Sequence, residues 1–209
     1  MVSRSRPSRA DYYRALADTL PSQALVVTAL GNASYLWAAV HDAPENFYFE
    51  DAMGLALPLA LGLAVAQPNR EVVVVEGDGG LLMHMGGLVT VGAVAPGNLT
   101  ILLIDNGVHG ASGGQALTSA SIEFADLARA VGLEKAARVE SGDALRAALA
   151  DAFATSGLTF LALATAPDTE TVVPPVALDP AVVKSRFMEA IGAPRYVSTF
   201  FGGGMVGKP

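Results

Sequence analysis

The sequence predicts an α/β fold: a parallel sheet with helices on both faces, in three layers. Three observations carry this. The runs ALVVT (24–28), VVVV (72–75) and LTILLI (99–104) are short and continuously apolar, as strands covered on both faces are. Helix-length apolar stretches lie between them. Clusters of Gly, Pro, Asn and Asp punctuate the boundaries. Alternation at this spacing demands βαβ crossovers and a sheet of about five or six strands.

The elements follow in order. Asp11 to Leu20 reads as a helix stopped by Pro21, Ala24 to Thr28 as a strand, and Gly31-Asn32 as a turn. Ala33 to Val40 is a helix, Asn46 to Phe49 a short strand, and Gly54 to Ala66 a helix ended by Pro68-Asn69. Glu71 to Glu76 is the clearest strand; Gly77 to Gly80 is a sharp turn and Leu81 to Val94 a helix. Leu99 to Ile104 is a strand, Asp105 to Gln115 a glycine-rich loop, and Glu123 to Val131 a helix. Ala136 to Val139 is a strand, Ser141 caps a helix from Asp143 to Ala154, and Leu158 to Ala164 is the last strand. Residues 165–180 read as a linker and Ala181 to Ile191 as a final helix before a mobile glycine-rich tail. The expected division is one domain over 1–180, with the helix and tail at 181–209.

Composition narrows the function. The 209 residues are 52% hydrophobic and 16% charged, enough to build a core. Net charge is −7, and the only basic cluster, Arg4, Arg6, Arg9 and Arg14, reads as a solvated, frayed end. Nucleic acid is therefore not an expected partner. The absence of cysteine excludes disulfides and thiolate metal sites. No signal peptide is visible, and the apolar stretch from Ala52 to Ala66 is too short to span a bilayer. A cytoplasmic, membrane-free protein is expected, and the apolar balance hints at a large subunit interface.

Ligands of open α/β sheets bind outside the carboxyl ends of the strands. Two loops there carry unusual chemistry: Gly77-Asp78-Gly79-Gly80, and Asp105-Asn106-Gly107-Val108-His109-Gly110. Glycines admit close backbone approach, and the following helix start suits a phosphate. Asp78 would repel phosphate unless a hard cation such as Mg²⁺ lay between them. The Asn106 side-chain carbonyl and a backbone carbonyl just after it can complete the shell. Either loop alone is a common turn; their pairing on successive strands is much more specific, and reads as a diphosphate–Mg²⁺ clamp.

Asn106 falls twenty-eight residues after Asp78. With NFYFEDAMGLALPLALGLA, EGDGGLLMHMGGLVTVG and LLIDNGVHGASGGQ, this resembles the pyrophosphate-binding (PP) domain of thiamine diphosphate enzymes. The likeness runs from about Leu25 to Ala164, in particular to the sulfopyruvate decarboxylase β subunit and the matching half of phosphonopyruvate decarboxylase. The resemblance implies Mg²⁺ ligation by Asp78, the Asn106 side chain and the Val108 carbonyl. It implies diphosphate contacts from Gly77, Gly79, Gly80, Gly110 and the Gly31-Asn32 turn. Met53 would wedge the cofactor rings into their bent shape, and the carbonyl near Asp51 would accept a bond from the aminopyrimidine. Glu50-Asp51-Ala52 departs from the family's usual Gly-Ser before Met-Gly, which bears on substrate choice. His109 reads either as an acid or substrate-anion contact, or as a loop residue bonded to backbone. His84 reads as a core or interface histidine, and His41 as a helix-end cation.

The family's activating glutamate comes from a pyrimidine-binding (PYR) domain, for which the chain has no room. The resemblance thus implies a PYR-type α-subunit partner, in an α2β2 or larger assembly acting on a 2-oxo acid. Two alternatives stay open: an acetolactate-synthase-like carboligase subunit, and a non-catalytic cofactor-binding scaffold. A dinucleotide-binding domain ranks low because no G-x-G-x-x-G follows the first strand.

Overall fold

The computed structural model describes residues 6–118, 121–167 and 179–193. The expected mobile tail and most of the linker lie outside these residues. Six parallel strands form the sheet: β1 (Leu25–Thr28), β2 (Asn46–Tyr48), β3 (Val72–Gly77), β4 (Leu99–Asp105), β7 (Lys135–Val139) and β8 (Thr159–Ala164). Their order is β2-β1-β3-β4-β8-β7. Between β4 and β7 the chain makes a small antiparallel hairpin, β5 (Val108–His109) with β6 (Gln115–Ala116).

The apolar runs are buried on both faces because successive residues point to opposite sides. Leu25, Val27, Val72, Val74, Ile101 and Leu103 join one core. Val26, Val73, Val75, Leu102 and Ile104 join the other. The first core is covered by α3 (Ala56–Ala66), α5 (Met85–Val94) and α6 (Phe124–Ala130). The second is covered by α1 (Arg9–Thr19), α2 (Asn32–Val40) and α7 (Gly142–Ala154). The last helix, α8 (Pro180–Ala190), lies beside β2 and sends Phe187 into the first core and Val183 into the second. Ser141 caps α7 as expected, accepting a bond from the Ala144 N–H at 3.1 Å.

Three expectations are corrected. The helix after β3 starts at Asp78 as α4 (Asp78–Met83), so the predicted sharp turn is the first turn of a helix. It breaks at His84, whose side chain packs beside Gly87 and Gly54 at distances no Cβ at either glycine would tolerate comfortably. His84 itself is exposed and not a core residue. The N-terminal basic cluster is not uniformly solvated either. Ser8 and Asp11 form a reciprocal cap that starts α1 at Arg9, and Arg9 is only 6% exposed. Sequence alone read a frayed end; here α1 packs against α7 and α2, and that side chain is inside.

Candidate cofactor site

The chain runs from β1 outward to β2, then crosses back to β3 on the other side. The topological switch point therefore lies between β1 and β3, where open α/β sheets bind ligands. A cleft of about 280 Å³ opens there. Ala29, Leu30, Asn32 and Ala33 close one side, and Met53 stands at its edge. Glu76, Gly77, Asp78, Gly79 and Gly80 form the floor. Asn106, Val108, His109 and Gly110 come from the loop after β4.

Asp78 ties the two loops together. Its Oδ2 accepts the N–H groups of Asn106 at 3.0 Å and Gly107 at 2.7 Å, and its Oδ1 accepts that of Gly79 at 2.8 Å. Asn106 Oδ1 accepts the Val108 N–H at 3.0 Å, which fixes the amide's rotamer. The Val108 carbonyl accepts the Gly110 N–H at 3.1 Å and keeps a second lone pair. Burial pushes the Asp78 carboxyl above the usual carboxylate range, while the Gly107, Gly79 and Asn106 N–H groups oppose it. Among the described residues no three His, Cys, Asp or Glu side chains converge as a metal cage. The donors present are hard oxygens, which fits a cation that shares its shell with phosphate. Gly79's N–H is already engaged by Asp78, so donation to a diphosphate would require exchange.

Glycines make the close packing possible. A Cβ on Gly79 would lie 2.8 Å from the His109 ring, and one on Gly80 only 2.3 Å from Glu76 Oε1. Gly54 has φ +82° and sits against the Gly80 carbonyl, locking the Met53 segment onto α4. Met53 is 37% exposed, at the mouth. Gly31 borders Ala111 without lining the cleft, and Asp51 is exposed outside it. His109 lines the cleft, and its carbonyl holds the loop through Gly114 N–H at 3.0 Å.

Two ionisable cleft residues were missed by sequence reasoning. Glu76 is 1% exposed, and burial lifts its pKa to about 7 despite bonds from the Gly77, Leu57 and Ala56 N–H groups. Its signal was a carboxylate ending a run of four valines. The other is Arg9, which no local signal in the sequence marked.

A βαβ sheet with a phosphate-suited cleft at its switch point defines a cofactor-binding α/β domain. Residues 31–163 match the family described as thiamine pyrophosphate enzyme, C-terminal TPP binding domain. The chain belongs to that family. Phosphonopyruvate decarboxylase of Streptomyces viridochromogenes is 40% identical over 192 residues, covering 92% of this chain and 48% of that protein. Sulfopyruvate decarboxylase subunit beta of Methanococcus maripaludis is 33% identical over 167 residues, covering 80% of this chain and 89% of that subunit. The chain thus spans about half the phosphonopyruvate relatives it matches. The fold also matches a thiamine diphosphate-dependent 4-hydroxybenzoylformate decarboxylase of Rhodococcus jostii RHA1, with TM-score 0.70 and 20% identity over 81% of this chain and 34% of that one. No helix among the described residues is long and apolar enough to cross a membrane.

Proposed function

We propose that this chain is the diphosphate-binding subunit of a thiamine diphosphate-dependent decarboxylase acting on a 2-oxo acid that bears a second anionic group. The observation that carries the reading is the junction at Asp78, where one buried carboxylate joins both strand-end loops at the switch point. Asp78, Asn106 Oδ1 and the Val108 carbonyl would hold Mg²⁺, and Met53 would support the cofactor rings. When bound, the cofactor supplies an electron sink for the carbanion left by loss of carbon dioxide. This chain's share is to anchor, to orient and to exclude water. Glu76 braces the floor by accepting the N–H groups at the start of α3. His109, over Gly79, stands where it could meet a substrate anion.

A PYR-type partner is part of the proposal. Support comes from the relative named as a beta subunit, most of whose length this chain matches. Further support is an apolar surface beside the cleft. Leu55, Met83, Met85 and Val89 are 40–65% exposed on α4, α5 and the start of α3.

The test is carbon dioxide release by the tagged chain recovered with its native partner, given thiamine diphosphate, Mg²⁺ and a panel of 2-oxo acids. Release from one acid, lost in Asp78→Ala and absent from the chain alone, is the expected result. An acyloin product instead of an aldehyde would shift the reading to carboligation. Recovery of no PYR-type protein would remove the split enzyme.

A further inference from the structure

Arg9 occupies a costly position. It is the first residue of α1, where the helix dipole disfavours a cation. It is only 6% exposed, and its Nε is sealed from solvent without a hydrogen-bond partner. None of the ion pairs among the described residues includes it. A buried guanidinium without a counter-charge is strongly disfavoured unless an anion joins it. Tyr13, one turn along, leaves its own buried hydroxyl unpartnered and offers no charge.

The side chain lines the cleft beside Asn32 and Ala33, at the start of α2, across from Asp78. Charge bookkeeping points the same way. A diphosphate carries more negative charge than one divalent cation neutralises, and Asp78 adds another. The far end of the cleft needs a fixed positive group, and among the described residues Arg9 is the one Lys or Arg that lines it.

We propose that Arg9 is the ligand of the cofactor's terminal phosphate, reaching it from α1 beside the α2 N-terminus. This rests on the cofactor reading above. A guanidinium presents a planar fork that suits two phosphate oxygens at once. The costly burial of Arg9 is then a prepared anion subsite.

The test is calorimetric titration of the full chain with thiamine diphosphate and with thiamine monophosphate, each with Mg²⁺. Arg9→Met should weaken diphosphate binding about 10- to 100-fold, the worth of a charged hydrogen bond, and leave the monophosphate unchanged. Arg9→Lys should recover part of the loss. The ligand-free Arg9→Met chain should melt no lower than wild type, because an unpaired buried charge has gone. An unchanged preference for diphosphate over monophosphate overturns the proposal, as does a lower melting point without a change in preference. A loss confined to binding of a phosphonate-bearing 2-oxo acid would move Arg9 to the substrate and overturn it too. Failure of the wild-type chain to bind either thiamine phosphate, both alone and assembled with its partner, would instead sink the cofactor reading itself.

Discussion

Ala52 holds φ +65°, a left-handed backbone that an L side chain adopts at a cost. It stands just before Met53 and Gly54, where the segment bends under the cleft. Ala52→Gly should raise the unfolding free energy by about 0.5–1 kcal/mol, the left-handed penalty less glycine's extra unfolded-state freedom. Denaturant melts would check it, and a destabilised variant would refute the strain at this site. The backbone path beyond the bend is set by Gly54 against the Gly80 carbonyl.

Element α8 is held by specific polar anchors as well as by Phe187. Arg186 pairs with both carboxylate oxygens of Asp42, and the Tyr48 hydroxyl donates to Asp42 Oδ1 at 2.8 Å. At the other end, Arg70 donates to the Ala190 carbonyl at 2.8 Å and Gln67 to that of Ile191 at 3.0 Å. The Arg186 hydrogen bond holds the Asp42 carboxyl below its ordinary value of 3.8. A depressed carboxylate stabilises fully above the unfolded value and loses that contribution as pH falls through the folded one. Acid should therefore loosen α8 below about pH 4, before the sheet melts. Asp42→Asn should bring the loosening to neutral pH, with amide exchange over residues 180–190 faster by roughly two- to fivefold, as suits a partly exposed pair. Unchanged exchange in that variant would mean that apolar packing alone retains the helix.

At the scale of the whole molecule, the two faces of the sheet are finished differently. The layer of α1, α2 and α7 carries charged outer surfaces, including the Arg146 pair with Asp18 at 2.9 Å. In the opposite layer α6 carries the exposed Arg129–Asp126 pair, but α3 (ALPLALGLAVA) and α5 (MGGLVTVGAV) contain no charged residue. Val65, Met83, Val89 and Val94 stay 49–65% exposed there. Exposed apolar area of this kind marks association surfaces. Met83→Asp with Val89→Asp should change the chain's own stability by no more than about 0.5 kcal/mol per site. The pair should abolish recovery of the partner, read by pull-down beside a melting curve. Retained assembly would place the partner elsewhere.

The architecture was legible because strands buried on both faces must be continuously apolar, and VVVV and LTILLI have no other economical fold. The core of the candidate site was legible for a related reason. Gly77 to Gly80 and Asn106 follow directly on those strands, so strand order alone puts them near one edge. What tertiary structure decided were the contacts between residues far apart in sequence. Arg9 enters the cleft because α1 packs against α2 and α7, and no local pattern distinguishes it from Arg14, which stays exposed. Glu76 is buried because the start of α3 offers it N–H groups from twenty residues earlier. Asp51, two residues before Met53, is exposed outside the cleft, on the other side of the left-handed Ala52. Burial of a charged side chain depends on which element arrives to cover it, and that information resides in packing.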